Sequence, residues 1–126
     1  MLTNAPVHPT LIAVDIARAK TFYQEKLGLK LVKEDPASGV LFEAGKGTYL
    51  YIYERAATKA EHTVASFYVD DVESMVKELQ LRGVVFDNIE LPSLGVKTVD
   101  GVATLDEMRG AWFKDTEGNI LGISNM

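Results

Sequence analysis

The chain has 126 residues, 47% of them hydrophobic and 25% charged, which is typical of one globular domain and excludes a disordered or fibrous protein. It contains no cysteine, which excludes disulfides, thiolate metal sites and cysteine nucleophiles and favours a cytoplasmic location. A net charge of −5 without a concentrated basic face argues against a nucleic-acid partner, and no apolar run is long enough to predict a membrane span.

The first half of the chain opens with signals for a strand, a helix and a second strand. Thr10 to Val14 is an apolar run that predicts a strand, and Asp15 follows it as a candidate helix N-cap. Apolar residues then recur at helical spacing before Gly28, namely Ile16, Ala19, Tyr23 and Leu27. The second strand is predicted directly after this glycine, at 29–32.

Two more β-rich runs complete the first half. Val40 to Glu43 and Thr48 to Glu54 flank a glycine-containing turn and predict a hairpin. In the second run three tyrosines alternate with two aliphatic residues and therefore share one face of the strand: Tyr49, Tyr51 and Tyr53. Because aliphatic side chains normally take the helix-packed face, the tyrosines are predicted to face a cavity. The alternative interpretation is that they pack against other side chains without contacting a ligand.

The second half repeats this order of signals. Val64 to Val69 predicts a strand, and either Asp70 or Asp71 can cap the following helix; with Asp70 as the cap, Glu73 would complete a capping box. One helical face is apolar before Gly83, at Val72, Met75, Val76 and Leu79. A strand is predicted next, at 84–86.

The end of the chain predicts an irregular segment and a terminal hairpin. The stretch 91–108 is long for a connector, which makes it a candidate lid or interface loop, with a short strand around 102–105. Ala111 to Lys114 and Ile120 to Ser124 form the hairpin, and the first of these runs holds the only tryptophan, Trp112. This side chain fits either a core or stacking against a flat ligand.

These elements predict an α+β fold in which 1–126 is a single domain built from two βαβββ half-modules, about 1–58 and 59–126. Several segments resemble the vicinal-oxygen-chelate superfamily, which includes glyoxalases, bleomycin-resistance proteins and extradiol dioxygenases: 14–23 followed by 27–29, then 69–72, Leu79 and 83–84, and finally 112–121. The resemblance covers nearly the whole chain and implies curled mixed sheets around a half-barrel cavity that hosts the chemistry. It also implies a homodimer.

The resemblance further implies four metal-ligand positions, one on each of four strands. In this chain they fall on His8, within 51–53 with Tyr51 as the preferred residue, on Val64 and on Gly122. A one-residue gap would replace His8 by Pro9, and a frame shift would bring His62 to the third position. The fourth position is normally Glu, so glycine there removes the acidic ligand, and we expect no catalytic metal and no other cofactor.

The leading hypothesis is therefore a metal-free protein, resembling the metal-free members of the superfamily, that sequesters or carries a small aromatic or hydrophobic compound. Its predicted ligand-binding residues are His8, Tyr51, Tyr53 and Trp112. One alternative is a metal-dependent lyase, isomerase or dioxygenase with rearranged ligands, for which Glu54 or a residue of the 91–108 segment could supply the absent donor. Another is a protein-interaction module whose cavity is filled by side chains.

Overall fold

A computed structural model describes residues 1–36 and 39–126 of the chain. The chain divides into two compact units, Met1–Thr58 and Lys59–Met126. Each unit has its own four-stranded mixed sheet and one main helix, which confirms the α+β class. That the two units form one domain stays a prediction. Within the described residues, the helices are too short and too polar to cross a membrane.

The first unit has four strands in the order β1-β4-β3-β2, with β1 parallel to β4 and the other neighbours antiparallel. Its helix α1 continues into a π-helical turn at Phe22–Lys26. The bounds are β1 Thr10–Ala13, α1 Ile16–Thr21, β2 Lys30–Asp35, β3 Gly39–Glu43 and β4 Tyr49–Glu54.

Helix α1 begins and packs as its sequence predicts. The Asp15 side chain accepts a hydrogen bond from the Arg18 backbone N–H at 3.1 Å, which satisfies one free donor of the first turn. Tyr23 is fully buried and stacks on Phe42 of β3, with ring centroids 5.7 Å apart. One face of the sheet is therefore covered by the helix, and the other face is left for the tyrosines.

The second unit repeats the topology of the first. Its sheet has the order β5-β10-β9-β8, and β5 runs parallel to β10. The bounds are β5 Thr63–Tyr68, α2 Val72–Leu81, β6 Glu90–Leu91, β7 Val96–Lys97, β8 Ala103–Leu105, β9 Met108–Lys114 and β10 Ile120–Ser124. Strand β8 takes the place that β2 has in the first unit, so the βαβββ order occurs in both.

The second strand of this unit was predicted at 84–86, and that prediction is wrong. Val84 and Phe86 are buried while Val85 is 81% exposed, which gives the alternation of a strand. However, the Val84 backbone N–H bonds back to the Leu79 carbonyl and closes the helix, and Phe86 forms only an isolated bridge to Phe113. The edge position is taken by β8, which confirms the short strand expected around 102–105.

The segment 91–108 is also more ordered than predicted. The short strands β6 and β7 form an antiparallel hairpin joined by a 3-10 turn at Pro92–Leu94. The hairpin is held at its base because the Ile89 N–H donates to Thr98 Oγ1 at 2.9 Å and the Thr98 N–H donates to the Ile89 carbonyl at 2.8 Å. A role as a lid or interface stays a prediction.

The turn between β9 and β10 fixes the register of the last two strands. Asp115 is buried and its Oδ1 accepts hydrogen bonds from the backbone N–H groups of Glu117 and Asn119, at 2.8 and 2.9 Å. Its Oδ2 accepts a third from Asn119 Nδ2 at 2.8 Å. The resulting register places Trp112 directly opposite Gly122.

Candidate ligand-binding site

The second unit contains a cavity of about 210 Å³. Alternation along β9 buries Ala111 and Phe113 on the side where the strand contacts α2, and places Gly110 and Trp112 on the other side. The cavity lies on this other side, between the sheet and the β6–β7 hairpin, which contributes Leu91, Leu94 and Val96.

Trp112 forms the floor of the cavity. A Cβ atom added to Gly110 would lie 3.2 Å from Trp112 Cη2, and one added to Gly122 would lie 3.6 Å from Trp112 Cδ1. The indole ring therefore lies across the sheet, with each end over a glycine that leaves room for it. This arrangement presents a broad aromatic surface to the cavity.

The wall and rim of the cavity are mostly apolar. Several large side chains there are exposed to solvent, among them Tyr68 at 75%, Leu94 at 57% and Met126 at 71%. A polar group near the indole is the Ser66 hydroxyl, whose Oγ lies 3.0 Å from the position of a Cβ on Gly122. A flat apolar molecule with one polar group suits such a lining.

The tyrosines of β4 lie on one face of the first sheet, as the alternation predicts. Leu50 and Ile52 are buried on the opposite face. The rings of Tyr51 and Tyr53 are stacked, with centroids 6.1 Å apart and planes 12° apart. The tyrosine face is thus an aromatic surface of the first unit.

Tyr51 is held by a carboxylate. Its hydroxyl donates to Asp35 Oδ2 at 2.5 Å, while Asp35 Oδ1 accepts from the Gly39 N–H at 3.1 Å. The hydrogen bond to Asp35 is the main reason why the pKa of Tyr51 is raised above its usual value, because it stabilises the protonated phenol. Tyr51 therefore acts as a hydrogen-bond donor at neutral pH.

His8 is exposed and lies beside Tyr49, with ring centroids 6.5 Å apart in an edge-on contact. The register explains this placement, since Thr10 pairs with Tyr51 and a residue two positions earlier falls next to Tyr49. His62, also exposed, precedes β5.

The structure distributes the four predicted ligand-binding residues over both units. His8, Tyr51 and Tyr53 belong to the first unit, and Trp112 belongs to the second. Sequence reasoning missed Ser66 and Tyr68, although their alternation with the half-buried Phe67 is a readable signal. It also missed the hairpin side chains, whose position depends on tertiary structure.

The four positions that the resemblance assigns to metal ligands do not fit a catalytic metal. Val64 and Gly122 have no donor atom in their side chains, and the Tyr51 hydroxyl is bound to Asp35 with a raised pKa, which disfavours the tyrosinate that a metal would bind. Open catalytic sites usually keep about three protein ligands. Among residues 1–36 and 39–126, no group of three or more His, Asp or Glu side chains could hold a metal ion.

Comparisons with solved structures show the same fold. Lactoylglutathione lyase from Agrobacterium tumefaciens is 21% identical, with a TM-score of 0.64 over 98% of this chain and 95% of that one. An integron cassette protein from the Halifax Harbour sewage outfall metagenome is 14% identical, with a TM-score of 0.70 over 98% and 99%.

A mutant of the fosfomycin resistance protein FosX from Listeria monocytogenes, complexed with Mn(II) and a dihydroxypropylphosphonic acid, is 17% identical, with a TM-score of 0.67 over 97% of this chain and 90% of that one. No curated protein matches the sequence. The model of the glyoxalase/bleomycin resistance protein/dioxygenase superfamily, in contrast, matches residues 5–123. With its repeated βαβββ topology and this match over nearly its full length, the chain belongs to that superfamily.

Proposed function

We propose that the protein binds a small aromatic or hydrophobic compound in the cavity of its second unit and does so without a catalytic metal. The observation that carries the proposal is the Trp112 ring lying over Gly110 and Gly122. A side chain at Gly110 would crowd the indole, since its Cβ would lie 3.2 Å from Trp112 Cη2, and one at Gly122 would cover the space beside Trp112 Cδ1, so three positions combine to form one flat surface. Stacking on such a surface contributes about 0.5–1.5 kcal/mol beyond simple burial.

The volume of the cavity limits the size of the compound that it can hold. A volume of about 210 Å³ is below the roughly 300–1,000 Å³ of pockets for drug-sized ligands. We therefore expect a compound of one or two fused rings. The tyrosine face with His8 is the second candidate contact surface, and its part in binding is an expectation from the sequence.

The side chains at the four predicted metal-ligand positions favour binding of a small molecule over metal-assisted catalysis. The FosX structure holds Mn(II) and a phosphonic acid, and both kinds of ligand need charged protein partners. In this chain two of the four positions that the resemblance assigns to metal ligands are Val64 and Gly122, which offer none. An enzyme with rearranged ligands stays the alternative, and a metal requirement in the binding assay would support it.

We also propose a homodimer and a cytoplasmic location. Support for the dimer is the exposed apolar rim, including Tyr68, Leu94 and Met126, which a second copy would shield from water. Light scattering tests it, and a mass of 13.9 kDa at high protein concentration would contradict it. The lack of cysteine supports the location.

Fluorescence titration tests the proposed binding, because Trp112 is the only tryptophan and reports from the cavity floor. Flat aromatic compounds should quench its emission saturably with a dissociation constant near 1 μM, which corresponds to about −8 kcal/mol. If a broad set of one- and two-ring compounds gives no saturable quenching and no heat in calorimetry, the proposed function is wrong.

Two variants test whether the ligand binds in the cavity or elsewhere on the surface. Trp112→Leu, measured by calorimetry because the reporter is lost, should weaken binding about three- to tenfold through the loss of stacking. The matched control is Val85→Ala, which removes an 81% exposed apolar side chain away from the cavity and should leave the affinity unchanged. Equal affinities for the two variants would place the ligand elsewhere.

A further inference from the structure

We infer that the cavity selects an uncharged aromatic compound whose polar substituent is bound by the Ser66 hydroxyl. This inference rests on the proposed function and adds two features to it, the charge of the ligand and the residue that orients it. Both come from the side chains around Trp112.

The described side chains that line the cavity leave no unpaired charge for an ionic ligand. Among its lining side chains in the described part of the chain, Arg109 is the only charged one, and none is acidic. Alternation along β9 places the Arg109 side chain with Ala111 and Phe113, on the face that contacts α2. There its Nε lies 3.3 Å from Glu73 Oε1.

A second nitrogen of the Arg109 guanidinium is also engaged. Its Nη1 donates to the carbonyls of Asp106 and Met108, at 2.8 and 3.2 Å. The cation is therefore partnered by one carboxylate and two carbonyls away from the indole. A charged ligand entering the cavity would lose its hydration without gaining an ion-pair partner, which is unfavourable for either sign of charge.

Ser66 is the polar group best placed to orient a ligand on the indole. It pairs with Gly122 across β5 and β10, and its Oγ lies on one side of Gly122 while Trp112 Cδ1 lies on the other. Because Gly122 has no side chain, no Cβ stands between this hydroxyl and the indole. Ser124, by contrast, already donates its hydroxyl proton to the Met126 carbonyl at 2.9 Å.

Ligands that share one ring system and differ in charge test the selectivity. We would titrate the protein by calorimetry and fluorescence at neutral pH with 2-naphthol, naphthalene, 2-naphthoate and 2-naphthylmethylammonium. The naphthol should bind at least about tenfold more tightly than either ion, because only the ions lose charge hydration without a partner. An ion that binds as tightly as the naphthol would overturn the charge selectivity and leave the proposed function standing, whereas no binding by any of the four compounds would overturn both.

The variant Ser66→Ala tests the orienting role. It should weaken 2-naphthol about fivefold and change naphthalene less than about twofold, because only the naphthol offers a group for this hydroxyl. Ser74→Ala, on the exposed side of α2, is the matched control and should change neither affinity. If Ser66→Ala weakens both compounds equally or neither, Ser66 does not orient the ligand.

Discussion

At the scale of single residues, Gly39 shows how closely the tyrosine face is packed. A Cβ atom on Gly39 would overlap the Tyr51 hydroxyl and lie 2.5 Å from Tyr51 Cζ and 2.6 Å from Asp35 Oδ2. We predict that Gly39→Ala lowers the free energy of unfolding by about 1–3 kcal/mol, as overpacking generally does. Urea denaturation followed by circular dichroism measures the change.

Gly45→Ala is the matched control for that substitution. A Cβ on Gly45 would meet no atom within 4 Å. The change should therefore stay within about 0.5 kcal/mol, as is usual for exposed positions. If the two alanine variants are equally stable, the Tyr51 ring does not lie over Gly39 as described.

The sequence predicts the face of each tyrosine but not the partner of Tyr51. Alternation with Leu50 and Ile52 is a local pattern, so it can be read directly. Asp35 is 16 residues away, and it reaches the same face only because a β-bulge shifts the pairing of β2 and β3 between Leu31 and Lys33. Nothing in the sequence marks that bulge, which is why the contact was not predicted.

At the scale of elements, the start of α2 resolves a choice that the sequence leaves open. Asp71, not Asp70, caps the helix, since its Oδ1 accepts from the Ser74 N–H at 3.0 Å. We predict that Asp71→Ala lowers the free energy of unfolding by about 1 kcal/mol through the loss of this cap. Asp70→Ala is the control and should have little effect; the reverse order in thermal denaturation would contradict the assigned cap.

The segment after α2 shows where local patterns mislead. Val84 and Phe86 alternate with an exposed residue as strand residues do, yet the backbone pairs with β9 only at the isolated bridge between Phe86 and Phe113 and forms no strand. Burial of alternate side chains and pairing of the backbone are separate properties, and the sequence pattern reports only the first. The strand that completes the sheet, Ala103–Leu105, has three residues and a weak signal of its own.

At the scale of the whole molecule, the repeated order of signals was sufficient to predict the α+β class and the repeated βαβββ order. An apolar run, an aspartate cap, a helix and a glycine occur twice, and both units have the same strand order. The candidate site was predicted less completely. Trp112 was identified as a single aromatic residue on a strand. Its placement opposite Gly122 and in one cavity with the β6–β7 hairpin depends on strand pairing and on the path of the chain, which the local sequence pattern does not report.

Calorimetric titration of 2-naphthol into protein dialysed against a chelator, repeated after adding Mn(II) or Zn(II), is the most direct test of metal-free binding at Trp112. We predict one ligand per chain with affinities that agree within about twofold with and without metal, because Val64 and Gly122 provide no donor and the Tyr51 hydroxyl is bound to Asp35. Binding that disappears on dialysis and returns with a stoichiometric amount of metal would contradict it.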